Sequence, residues 1–219
     1  MKKNLIVVSV LICILFLMTM SAWAEKAGEK NPKEAAADLT ERGMKLLENG
    51  ERDKAMPLFE KAISLDPKNE EAWIGRGKIF VATDKLTYAV GTYKRALQSL
   101  PNSPMIWFHY GVALGKSNQH QSAISAFNSA LKAKPDLAEA NRFKGYSLVK
   151  LYRFSEAIPC FQKVVDSNPE DLHAKLFLGI ASFNAGQKDK GKILVQEVLR
   201  KKPQLRQDIP KSMLEAMEI

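Results

Sequence analysis

Apolar residues in the middle of the chain recur at helical spacing, and the spacing itself recurs. Trp73, Gly77 and Phe80 fall on one helical stripe, and Ala89, Tyr93 and Ala96 fall on a second. Further along, Trp107, Gly111 and Leu114 repeat the first stripe, while Ala123, Phe127 and Ala130 repeat the second. A glycine or alanine in each stripe lets a facing helix approach closely, and the aromatic at the next turn fills the space beside it. The pattern predicts short paired helices that pack through narrow stripes.

The period is thirty-four residues and it runs through most of the chain. Gly43, Gly77, Gly111, Gly145 and Gly179 lie on one progression, and Pro67, Pro101, Pro135, Pro169 and Pro203 lie on another. Between them Ala55, Ala89, Ala123 and Ala157 recur, followed by Phe59, Tyr93, Phe127 and Phe161. Gly50, Asp84, Asn118 and Gly186 occupy the expected turn between the helices of a pair, where residues tolerant of positive φ are favoured. Each recurring proline disfavours helical geometry in the residue before it and should end the second helix. Pro57 and Pro159 fall early in second helices, where a mild adjustment is expected and not a break.

These residues resemble the tetratricopeptide repeat, a unit of two antiparallel helices with a Trp, Leu, Gly, Tyr, Ala, Phe, Ala and Pro pattern. The resemblance covers residues 36–205 without an insertion. It implies an all-α fold, a right-handed superhelical solenoid of five units at 36–69, 70–103, 104–137, 138–171 and 172–205. The fifth unit departs furthest, with Lys175 in place of the tryptophan, Gly191 in place of the alanine and Val195 in place of the aromatic. Terminal repeats are often atypical. Residues 206–219 read as a short capping helix with Asp208 as its N-cap and Ile209, Met213, Leu214 and Met217 along one face; a frayed tail is the alternative.

Lys2 and Lys3 precede an uncharged run from Leu5 to Met20, and Ala22-Trp23-Ala24 then supplies small residues at alternate positions. Residues 1–24 therefore read as a secretory signal cleaved before Glu25, with 25–35 a polar lead into the first helix. The same stretch is also about long enough for a permanent membrane anchor. Cys13 is poorly placed for lipid modification, because Ile12 is not small and apolar residues continue past it. Export predicts a periplasmic or secreted protein, or one tethered to the inner membrane by residues 5–24.

The chain has 219 residues and a formal charge of +9, carried by lysines and arginines scattered rather than clustered. Export and the scatter argue against nucleic acid as a partner. Beyond Cys13 the only thiol is Cys160, so no intramolecular disulfide is expected in the mature chain. His109, His120 and His173 have no metal-ligand spacing, and neither a nucleophile motif nor a phosphate-binding loop is present. No enzymatic activity, metal or cofactor is expected.

What remains is the second face of each first helix. Met105, Phe108 and Val112 make the 104–116 segment apolar nearly all round, and such a helix should be covered on every side. In the tetratricopeptide repeat family the matching positions line the concave groove that holds partner segments. The resemblance thus implies a groove of Ile74, Lys78, Met105, Phe108, Val112, Lys116, Arg142, Tyr146, Lys150, Ile180 and Phe183. Its mixture of apolar and basic residues suits an amphipathic protein or peptide segment. The family's basic-and-asparagine clamp for a C-terminal carboxylate is not evident, since Thr40 and Met44 occupy its first-unit positions. The expected function is a non-enzymatic interaction scaffold of the bacterial cell envelope. The alternatives are a homo-oligomer and a chaperone-like holder of exported chains.

Overall fold

The computed structural model describes residues 31–219, so the signal or anchor expected at 1–24 lies outside the described residues. The first of its two compact units ends at Asn69 and contains α1 (Pro32–Glu48) and α2 (Arg52–Leu65). Asn31 caps α1 by accepting the Lys33 amide at 3.1 Å, and Pro32 opens the helix where its missing N–H costs nothing. Ala36, Thr40 and Gly43 form the buried stripe of α1, and Ala55, Phe59 and Ala62 that of α2. Thr40 is occupied internally, its hydroxyl donating to the Ala36 carbonyl at 2.8 Å and accepting from the Asn69 amide at 2.9 Å.

The second unit, Glu70–Ile219, carries the other four helix pairs. They are α3 (Glu70–Ala82) with α4 (Leu86–Ser99), α5 (Pro104–Lys116) with α6 (His120–Ala133), α7 (Ala138–Lys150) with α8 (Phe154–Ser167), and α9 (Leu172–Asn184) with α10 (Lys188–Lys201). Each helix packs on the next, and the first helices of successive pairs also touch: α3 on α5, α5 on α7, α7 on α9. The described residues form an all-α helical repeat solenoid with no strand.

Small-meets-large packing holds in every pair. A Cβ built on Gly43 would lie 2.8 Å from the Phe59 ring, one on Gly111 2.6 Å from Phe127, and one on Gly145 2.7 Å from Phe161. The fifth pair shows why its residues differ. A Cβ on Gly191 would meet the Phe183 main-chain nitrogen at 2.5 Å, so α10 lies against the α9 backbone and only glycine fits. Val195 then fills the narrower gap that an aromatic fills elsewhere.

Turns between paired helices pass through left-handed backbone at Gly50, Asp84, Asn118 and Gly186, as the spacing predicts, and also at Tyr152. At that last turn the Arg153 amide donates to the Leu148 carbonyl at 2.9 Å and the Tyr152 amide to Val149 at 3.0 Å, a Schellman closure. Second helices end two residues before each recurring proline, and the residue between, for instance Asp66 or Asn168, is extended. Helices α2 and α8 run on through Pro57 and Pro159 without a break.

The C-terminus corrects one expectation. Asp208 does not cap a helix; it ends a 3-10 turn over Pro203–Asp208, and α11 spans only Lys211–Met217. Pro210 holds Ile209 extended, at φ −107° and ψ 128°, which stops a helix from starting at Asp208. The capping role of the segment is present all the same. Ile209, Leu214 and Met217 are buried with Leu205 against Leu176, Ile180, Val195 and Val198.

Candidate functional site

Within the second unit, α5, α7 and α9 stand side by side and, with the end of the chain, enclose an open cavity of about 620 Å³. Val112 and Gly115 come from α5, Phe143 and Tyr146 from α7, Phe177 and Ile180 from α9, and Pro210 and Met213 from the C-terminal segment. The rings are held by one another. Tyr146 meets Phe143 edge-on at 5.9 Å and Phe177 edge-on at 4.6 Å. The volume falls in the range of about 300–1,000 Å³ typical of ligand pockets, and the wall is mainly apolar with a few polar groups.

Charge enters the wall through Lys116 and Lys150, both exposed, and through Asp208, its one acidic residue. Burial raises the Tyr146 hydroxyl above its ordinary range; Arg142 opposes this, while Asp171 and Asp208 add to it. His120 also lines the cavity, and its Nδ1 is buried without a hydrogen-bond partner.

The structure divides the residues expected in the groove. Val112, Lys116, Tyr146, Lys150 and Ile180 do line the cavity, and Lys78 is exposed on α3. Phe108 does not: it is 8% exposed, packed on Phe127 at 6.2 Å and edge-on to Phe143 at 5.7 Å. The neighbouring first helix, α7, covers the face that the sequence left without a partner. Ile74 is likewise buried, and Met105 is packed against the same cluster as Phe108. Phe183, and much of Ile180, are covered by the C-terminal segment.

Arg142 is a further correction. Its guanidinium donates to Asp171, whose other oxygen accepts the Ala174 amide at 2.9 Å and caps α9. With the Asp171 side chain only 8% exposed, this pair is a strut between successive repeats. Sequence reading also missed Phe143, Phe177, Tyr152, Phe154 and Met213. For Tyr152 the signal was available, because it lies thirty-four residues after Asn118 and thirty-four before Gly186, in the turn position.

Two groups with chemical potential are silenced by their surroundings. Burial pushes the Cys160 thiol up despite the nearby Lys144 and Lys163, and its Sγ donates to the Glu156 carbonyl at 3.5 Å. Such a thiol is a poor nucleophile. His109 lies 5.9 Å from Tyr93 and 5.0 Å from Phe108, ring to ring, and burial aided by Lys78 holds it down to about 4. Among the described residues no group of three or more His, Cys, Asp or Glu could hold a metal, and no helix is long and apolar enough to cross a membrane.

Paired helices on one period with this cavity define a repeat scaffold. Tetratricopeptide repeat family models match residues 46–107 and, in overlapping copies, 88–138, 108–158 and 144–205. The chain belongs to the tetratricopeptide repeat family, whose fold serves as a scaffold for protein–protein interaction. Among solved structures it resembles PilW, described as a widely conserved type IV pilus biogenesis factor, at 26% identity and a TM-score of 0.66 over 75% of this chain and 78% of PilW. YrrB, described as a TPR protein with an unusual peptide-binding site, matches at 21% identity and 0.66 over 78% of this chain and 88% of YrrB. MamA of Desulfovibrio magneticus RS-1 matches at 21% identity and 0.65 over 80% of this chain and 96% of MamA. No curated protein sequence matches the chain.

Proposed function

We propose that this protein is a non-catalytic adaptor of the bacterial cell envelope that holds a segment of another protein in the cavity of its second unit. The observation that carries the reading is the cavity itself. Three successive first helices leave an apolar, ring-lined space of about 620 Å³ that no described element fills. A concave apolar site with few polar groups is the usual form of a ligand pocket. The envelope assignment rests on the signal-like residues 1–24 and agrees with the likeness to PilW; peptide binding agrees with the likeness to YrrB.

Photo-crosslinking residues placed at Val112 and at Lys150, with Gln196 on α10 as an outward control, test it in cells. A defined envelope protein captured from the first two positions and not from the third is the expected result. Equal capture from all three, or none, would remove the cavity as the binding site. Mass spectrometry should find the mature chain beginning at Glu25; an intact residue 1–24 segment in the membrane fraction would make the adaptor a tethered one.

A further inference from the structure

Three basic side chains of the repeats that build the cavity are already paired. Arg142 is held by Asp171, Arg153 by Glu156 at 2.7 Å, and Lys175 by Glu197 at 3.0 Å. Lys116 and Lys150, the two lysines of the cavity wall, are not: both are exposed and no described acidic side chain forms an ion pair with either. They occupy the same repeat position, each the last residue of a first helix, on α5 and α7, which touch. Packed helices lie about 8–10 Å apart, so the two ammonium groups present a basic edge of roughly that span.

Beside this edge stands Tyr152. Its ring is 81% exposed and edge-on to Phe154 at 6.0 Å, and both residues line the cavity. Its backbone is left-handed at φ 58°, a conformation that the other four repeats give to glycine, aspartate or asparagine. A bulky residue held there is strained, and the exposed ring makes no compensating burial. Strained residues of this kind concentrate at ligand clamps and switch regions.

We propose that the cavity is selective for an extended acidic segment, one that inserts a large apolar side chain between α5, α7 and α9 while two of its carboxylates meet Lys116 and Lys150 and the Tyr152 ring closes over the chain. An extended chain in the polyproline II form advances about 3.1 Å per residue with three residues per turn, which puts two carboxylates three residues apart on one side of it and about 9 Å from each other. This inference rests on the reading of the cavity as a binding site and adds the chemistry of what it binds.

Three fluorescent twelve-residue peptides with the same central tryptophan test it, differing only in carrying Glu, Gln or Lys at two positions three residues apart. Against the intact protein at low salt the Glu peptide should bind at least fivefold more tightly than the Gln peptide, the Lys peptide should bind weakest, and the differences should shrink at high salt. Lys116→Glu with Lys150→Glu, both exposed substitutions, should reverse the order. Tyr152→Gly and Tyr152→Asn should lower affinity for the Glu peptide at least threefold without lowering the unfolding temperature. An order unchanged by the charge reversal, or equal binding of all three peptides, would overturn the acidic preference; if Val112→Arg then still abolished that binding, the cavity would remain the binding site. No binding by any peptide, together with no crosslink from Val112, would remove both readings.

Discussion

Replacing Gly111 by alanine would place a methyl group 2.6 Å from Phe127 Cε1, 2.8 Å from Cδ1 and 2.9 Å from Cζ. The ring cannot swing clear, because Phe127 is 1% exposed and Phe108 and Phe143 stand 6.2 and 6.3 Å from it, centroid to centroid. Gly91 in α4 provides the comparison: it too is inside a helix, but a Cβ there meets nothing within 4 Å. Alanine gains about 1 kcal/mol of helix propensity over glycine at either site. At Gly111 alone it also incurs overpacking of about 1–3 kcal/mol. Gly91→Ala should therefore unfold later than the parent, and Gly111→Ala should unfold earlier than Gly91→Ala by about 1–3 kcal/mol, a gap of at least roughly 2 °C in a domain this size. Urea and thermal unfolding followed by far-ultraviolet circular dichroism measure both. Gly111→Ala unfolding together with Gly91→Ala, or later, would show that this close approach of α5 and α6 does not constrain the fold.

Phe108→Ala should cost about 3–5 kcal/mol in urea unfolding, as a buried aromatic does, whereas Tyr146→Ala, at the half-buried cavity wall, should cost less and reduce crosslinking from Val112. Arg142→Ala should destabilise by about 1–3 kcal/mol through the uncompensated Asp171 carboxylate, and equal stability of variant and parent would show the strut to be ornamental. His109 is neutral in the folded chain down to about pH 4 and ordinarily protonates near 6.5, so the unfolded chain binds more protons between those values. The stability this group supports is complete above about pH 6.5 and falls as pH drops toward 4, by up to about 3 kcal/mol at roughly 1.4 kcal/mol per pH unit. His109→Gln should flatten that part of the urea-midpoint profile against pH, and a profile identical to the parent's would contradict the assignment.

The repeat was legible in the sequence because each of its determinants is a property of one residue type at one position. A glycine opposite an aromatic sets the approach of paired helices, a proline ends the second helix, and a small or polar residue at the turn accepts positive φ. Gly111 with Phe127, Pro135 and Asn118 each did in three dimensions what their chemistry and spacing required. Where the pattern weakened, the sequence still carried the reason, since Gly191 and Val195 changed together at one tight contact.

The groove was less legible because exposure depends on which neighbour covers a face. Periodicity showed that α5 has an apolar side beyond its pairing stripe, but only the tertiary structure assigned part of that side, Phe108, to α7 and left Val112 to the cavity. A similar ambiguity applied to charge. Arg142 and Lys150 both read as basic residues of the groove, yet Asp171 of the next repeat takes the first and no described acid takes the second. The chain end folds back to bury Ile180 and supply Met213 to the wall, a contact between residues distant along the chain that helix periodicity cannot encode. Sequence alone determined the unit, its period and its helix ends, because these follow from interactions within about one repeat. The division of each helix surface between core, strut and binding wall was decided only by tertiary packing, because it depends on which side chains of the neighbouring repeat or the chain end reach that surface.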